Sequence, residues 1–348
     1  MSPDADEGRP ASRPPPVAAP LPWQRKLAQD LLARRARWPH AMLIVGPAGI
    51  GKAALARFLA RALLCEAPAA DGGPCGACAS CRYEAAGQHP DLRVVEPIEI
   101  EDDVPKAVEW IVVDRIRAMA HWAELTSHRG GAKVAVIDPA ERMHPSAANA
   151  LLKTLEEPAG DTYFLLVSHL PGRLPATIAS RCQRIVAPRP AADEARAWLA
   201  AQGVDDVDRA LAQAGFAPLR AGALADAGYQ ADRTAWMKAL CAPRRLSVAS
   251  LGAWIEAAPR EARRERLASA IEWLIGWCVD LARVRAGGAP IANADLEGAL
   301  RTLARSVAAI ALFRYHRRLL RQRTLLAHPL QPRLVAEALL IDYRALFG

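Results

Sequence analysis

No run in these 348 residues approaches the roughly 18 consecutive apolar residues that a membrane span requires. The opening stretch MSPDADEGRPASRPPPVAAPLP lacks the apolar segment of a secretory signal, and its Pro, Ala and Gly content predicts a disordered lead-in over residues 1–20. These two absences predict a cytoplasmic protein. Lysine is scarce, at six of the 45 basic residues, and arginine is spread along the whole chain. The formal net charge of +8 is therefore only a weak argument for an acidic partner such as nucleic acid. Internal repeats are absent. What is present is globular composition, 52% hydrophobic and 24% charged, enough material for a core and for two or three domains.

Two further absences concern a motif and a strand end far from it in sequence. The stretch LIVGPAGIGKA (Leu43–Ala53) is an apolar strand running into a glycine-rich turn and a lysine, the spacing of a phosphate-binding loop. Gly46, Gly49 and Gly51 let the backbone approach a phosphate, and Lys52 would add charge beside it. The next position should carry a hydroxyl for magnesium but is Ala53. A second buried strand, KVAVID, ends in Asp138, where a metal-holding acid belongs, but Pro139 follows where a water-activating glutamate is expected. Glu141 lies further along. Two separate parts of a hydrolytic apparatus are missing, so the loop reads as structural or weakly nucleotide-binding. The rival is a working ATPase with substitutes at both positions.

Apolar periodicity predicts an amphipathic helix over Trp23–Trp38, strands at Ala41–Val45, Asp91–Val95, Lys133–Asp138, Tyr163–Ser168 and Gln183–Val186, and helices at Ala54–Leu64, Ile116–Leu125 and Ser146–Glu157. The acidic EPIEIEDDVPK reads as a loop. Alternating strands and helices predict an α/β fold with a parallel sheet. From Ala191 onward only helical periodicity remains, with candidate helices near 245–257, 260–286, 294–322 and 332–346. The chain thus divides into an α/β domain over 21–188, a small helical domain over 189–231 and a larger helical domain over 232–348.

Four of the seven cysteines crowd together as Cys65, Cys75, Cys78 and Cys81. Four thiolates at this spacing can close a tetrahedral structural zinc site over the insertion 65–81. An iron–sulfur run and free thiols are the alternatives, although the Cys-Pro that continues a ferredoxin-type run is absent. Cys241 and Cys278 read as packing residues.

The region from KVAVIDPAERMHPSAANALLKTLEEP through LPATIASRC closely resembles the clamp-loader proteins of bacterial DNA polymerase III, which are AAA+ P-loop NTPases. The cysteine insertion after the loop helix matches as well. The resemblance implies an AAA+ domain, a lid and a C-terminal collar. Within the family a motor type keeps a complete phosphate loop, while a stator type has a damaged one; Ala53 and Pro139 place this chain with the second. It implies ATP held in a neighbouring gamma/tau motor subunit. Arg181 would be a finger on that ATP, with Ser180 and Cys182 fixing its backbone. Arg220 would correspond to a second nucleotide-sensing arginine. The delta subunit, the sliding clamp and primed DNA follow as partners through a hetero-oligomer. Neither a polymerase site nor an ATPase of its own is expected.

Arg314, Arg317, Arg318, Arg321 and Arg323 fall on one expected helix, and the first four share a face. Subunit contact, solvent and DNA phosphates are the three readings. The rivals to the whole account are a motor ATPase, a stand-alone ATPase acting on nucleic acid, and a zinc-dependent DNA-binding module.

Overall fold

The computed structural model describes residues 19–101, 104–107, 110–326 and 331–348, with backbone alone at 99–101 and 104–107. Nearly all of the lead-in expected over 1–20 lies outside the described residues, as do Asp102 and Asp103 of the acidic stretch. The chain forms two compact units, one ending at Glu194 and the other running Ala195–Gly348.

In chain order the first unit contains α1 (Arg25–Leu32), β1 (Ala41–Val45), α2 (Lys52–Leu64), α3 (Ala79–Ala85), β2 (Leu92–Val95), β3 (Ile98–Glu101), β4 (Val104–Ala107), α4 (Val113–Glu124), β5 (Lys133–Ile137), α5 (Pro145–Glu156), β6 (Thr162–Ser168), α6 (Ala176–Ala179) and β7 (Gln183–Val186). Five strands pair in the order β2-β5-β6-β1-β7, every pair parallel. Parallel neighbours need crossovers, and the helices supply them on both faces. Side chains alternate between two cores. Leu43, Ile137 and Phe164 pack with Ile116, Leu151 and Leu155 on one face. Ile44, Val136 and Leu165 pack with Leu31, Leu55 and Leu59 on the other. This double burial is why the central strands read as continuous apolar runs.

Three elements depart from the sequence expectation. The helix expected over Trp23–Trp38 is only α1, flanked by single 3-10 turns at Pro22–Gln24 and Arg35–Arg37. The Trp38 indole donates to Leu31 O at 2.8 Å, taking a carbonyl that a continuing helix would use. The acidic stretch is not a loop: β3 and β4 pair antiparallel, with Glu99 opposite Lys106. Its Ile98-Glu99-Ile100-Glu101 alternation is a strand pattern. The third departure is in the second unit.

That unit follows α7 (Ala192–Ala201) with α8 (Val207–Gln213), α9 (Pro218–Leu224), α10 (Ala227–Leu240), α11 (Val248–Glu256), α12 (Arg263–Arg285), α13 (Glu297–Ser306), α14 (Ala309–Thr324) and α15 (Pro332–Ala345). The single helix expected over 294–322 is α13 and α14 with a break at Val307 and Ala308, both in extended backbone. Val307 is buried, and Arg285 Nη1 donates to Ala304 O at 2.9 Å and Val307 O at 2.7 Å, closing the end of α13. A small apolar cluster around Leu199, Leu211 and Ala221 is separate from a large one built on Trp236, Trp273, Trp277, Leu312 and Tyr343. Cys278 lies buried in the large cluster and Cys241 packs against it. Among the described residues no helix is long and apolar enough to cross a membrane.

Candidate functional site

Because all five strands of the sheet run in parallel, their C-terminal ends share one edge. That edge carries the glycine loop after β1, Asp138 after β5 and Ser168 at the end of β6. The loop enters α2 through Gly51, whose φ of 89° favours glycine. A Cβ there would also lie 2.1 Å from Leu21 Cδ1. The Trp23 indole and the Gln24 amide each donate to Ile50 O at 2.9 Å, so the segment before β1 clamps the loop from behind.

Lys52 is buried and donates to Pro47 O of its own loop at 2.5 Å. Burial pulls its pKa down to about 8, against the attraction of Asp138 and Glu141. Burial also pushes Asp138 up to about 6, with repulsion from Glu96 adding to it. Glu141 accepts the amides of His169 at 3.0 Å and Leu170 at 3.2 Å through Oε1, so it anchors the loop after β6. Asp138 Oδ1, Glu141 Oε2, Ser168 Oγ and His169 Nδ1 have no hydrogen-bond partner among the described residues. A buried lysine facing two acids could neutralise phosphate charge. Yet Ala53 brings no hydroxyl, and Pro139 brings no base beside Asp138.

Arg181 follows α6 in the turn that leads into β7. Its Nε donates to Glu156 Oε1 at 2.8 Å, its Nη2 to the same oxygen, and its Nη1 to Thr177 O at 2.9 Å. Ser180 Oγ donates to Thr177 O at 3.2 Å, which ties that turn to α6. Cys182 packs against the core of the α4–α5 face, and burial pushes its thiol up to about 11. Arg220, on α9, pairs with Glu272 at 3.3 Å, and Glu272 also takes Arg323 at 3.2 Å. Of the five arginines expected on one helix, Arg318 pairs with Asp342 and Arg323 with Glu272, so two are held within the chain.

The cysteine insertion brings its four Sγ atoms within 4.8 Å of one another, a cluster that can hold a metal ion. No disulfide joins them. Backbone amides point at the sulfurs: Cys75 N to Cys65 Sγ at 3.3 Å, Cys78 N to Cys75 Sγ at 3.3 Å, and Cys81 N to Cys78 Sγ at 3.4 Å. Burial raises Cys78, but the amides facing it, together with hydrogen bonds from the Cys81 and Cys75 side chains, bring it down to about 6. Cys81 is pushed up to about 12, first by burial. The ion pair of Arg61 with Glu84 bolts α3 onto α2, and Arg129 holds Glu66 beside Cys65.

The structure therefore assembles Gly46, Gly49, Gly51, Lys52 and Asp138 at one sheet edge and closes the four cysteines into one cluster. The clamp from Trp23 and Gln24, and Glu156 as partner of Arg181, were not found by sequence reasoning. No motif marks the first. Glu156 lies within the LKTLEEP stretch but carries no sign of what it faces.

The family model described as DNA polymerase III, delta subunit, matches residues 23–190. The DNA polymerase III subunit delta' of Pseudomonas aeruginosa is 45% identical over 216 residues, covering 61% of this chain and 63% of that protein, just under two thirds of its length. The Escherichia coli subunit delta' is 33% identical over 285 residues, covering 81% of this chain and 82% of that one. The E. coli subunit tau is 39% identical over 143 residues, which is 41% of this chain and 20% of that one. A solved DNA polymerase III gamma subunit-related protein from Thermotoga maritima aligns over 92% of this chain at 15% identity, with a TM-score of 0.42. At 33% identity to the E. coli protein across an alignment that covers more than four fifths of both chains, this chain belongs to the family of DNA polymerase III delta' subunits.

Proposed function

We propose that this chain is a non-hydrolysing stator of a DNA polymerase III clamp loader, the assembly that uses ATP to place a sliding clamp on primed DNA. It lends Arg181 to ATP bound by an adjacent gamma/tau motor subunit. One contrast carries this reading: the lysine of the chain's own phosphate loop is buried and bonded to Pro47 O of that loop, while Arg181 stays at the surface. A guanidinium beside a transferring phosphoryl group offsets the charge that builds in the transition state, an effect of roughly 10³–10⁵ in rate at a single site. Arg220, paired with Glu272, is the candidate for a nucleotide contact from the lid. In this reading the lid spans 189–231 and the collar 232–348; the second compact unit, Ala195–Gly348, takes in the collar and all but the first six residues of the lid. Arg314, Arg317 and Arg321 of α14 are available for contact with the collars of neighbouring subunits, and the delta subunit lies on the other side. The cytoplasm is where such an assembly works.

The cysteine cluster holds a structural zinc ion. Four sulfurs at mutual ion-spanning distance, with amides directed at them, fit a closed thiolate site and leave no open position for catalysis. The ion would staple an insertion that has little core of its own.

The test is reconstitution of the full chain with motor and delta subunits. Arg181→Ala should co-elute with them on a sizing column as the wild type does, yet slow DNA-stimulated ATP hydrolysis and clamp loading. An unchanged loading rate would remove the basis of the proposal.

A further inference from the structure

Glu156 closes α5 at a position where a carboxylate meets the negative end of its own helix dipole, a placement that helices disfavour. What it gains there is Arg181. One carboxylate oxygen receives both Nε and Nη2, and Thr177 O receives Nη1. Three of the five guanidinium N–H groups are thus engaged within the chain, and two remain. The side chains keep 34% exposure at Arg181 and 49% at Glu156. A solvent-facing pair of this kind is too weak to lock the arginine away. It is strong enough to bias a long, flexible side chain toward one orientation before any acceptor arrives.

We infer that Glu156 is a positioning residue for Arg181: together with Thr177 O it presets the plane of the guanidinium, leaving two N–H groups for an anionic oxygen on a neighbouring subunit. This rests on the reading of Arg181 as a finger acting in trans. Glu157, next in sequence, makes no ion pair among the described residues and serves as the control.

The experiment measures kcat and KM for DNA-stimulated ATP hydrolysis by the reconstituted complex carrying Glu156→Gln, Glu157→Gln, Arg181→Ala or the double variant Glu156→Gln/Arg181→Ala. Glutamine keeps the shape and removes the charge. The part of kcat that depends on Arg181 should fall about two- to fivefold in Glu156→Gln, the range of a partly exposed pair. KM for ATP should stay unchanged, Glu157→Gln should match the wild type, and the double variant should be no slower than Arg181→Ala. If Arg181→Ala is slow but Glu156→Gln equals or exceeds the wild type, the positioning role is overturned and the finger stands. A double variant slower than Arg181→Ala overturns it too, because Glu156 then acts by another route. If Arg181→Ala itself has no effect, the finger reading fails and takes this inference with it.

Discussion

Asp138 follows β5 at the sheet edge that carries the glycine loop, and its Oδ1 is buried there with no hydrogen-bond partner among the described residues. Its folded-state pKa is about 6 against 3.8 in the free side chain. Between those values the unfolded chain has released a proton that the folded chain retains, so raising the pH favours unfolding, and the penalty is complete above about 6. Asp138→Asn should therefore be more stable than the wild type at pH 7, by about 1–3 kcal/mol. The gap should close near pH 4. Urea melts at the two pH values check this, and a gap independent of pH would contradict it. Gly51 is constrained differently, by its φ of 89° and by Leu21 standing where a Cβ would go. Gly51→Ala should cost about 1–3 kcal/mol, through backbone strain and displacement of Leu21, and thermal melting should show it.

At the scale of elements, the cysteine insertion is held by α2 and α3 together. Its residues contribute little to either face of the sheet, so the fold of the sheet does not depend on them. Cys75→Ser, or a strong chelator, should remove about one equivalent of zinc per chain and expose the segment between Glu66 and Ala79 to protease. Far-ultraviolet circular dichroism should change little. Global unfolding on metal removal would mean that the ion supports the core and not merely the insertion. The break between α13 and α14 shows the limit of periodicity at this scale. Apolar spacing runs through Val307 without interruption, and the signal that ends α13 is Arg285, which reaches it from α12. Nothing local announces a cap supplied by another helix.

For the whole molecule, the proposed role at a neighbour's nucleotide requires the chain to be silent alone. Purified protein with ATP and magnesium should release phosphate no faster than its Lys52→Ala variant. Vigorous turnover abolished by that substitution would make it a motor. In the assembled complex the same Lys52→Ala substitution should leave DNA-stimulated hydrolysis nearly untouched, whereas Arg181→Ala should slow it.

The sequence by itself determined the parallel α/β frame, since strands buried on both faces must be continuously apolar and the crossovers between them must be helical. It also decided that Ala53 brings no hydroxyl and Pro139 no base, because side-chain chemistry is a matter of composition. The cysteine cluster was legible for a similar reason, as its four thiols lie close along the chain. Only the tertiary structure decided which groups face one another across long separations: Trp23 and Gln24 on Ile50, Arg285 on α13, Arg220 and Arg323 on Glu272, and Glu156 on Arg181. Hydrogen bonds and ion pairs act over a few ångströms, and side chains come that close only after the chain has packed, so distance along the sequence carries no record of them.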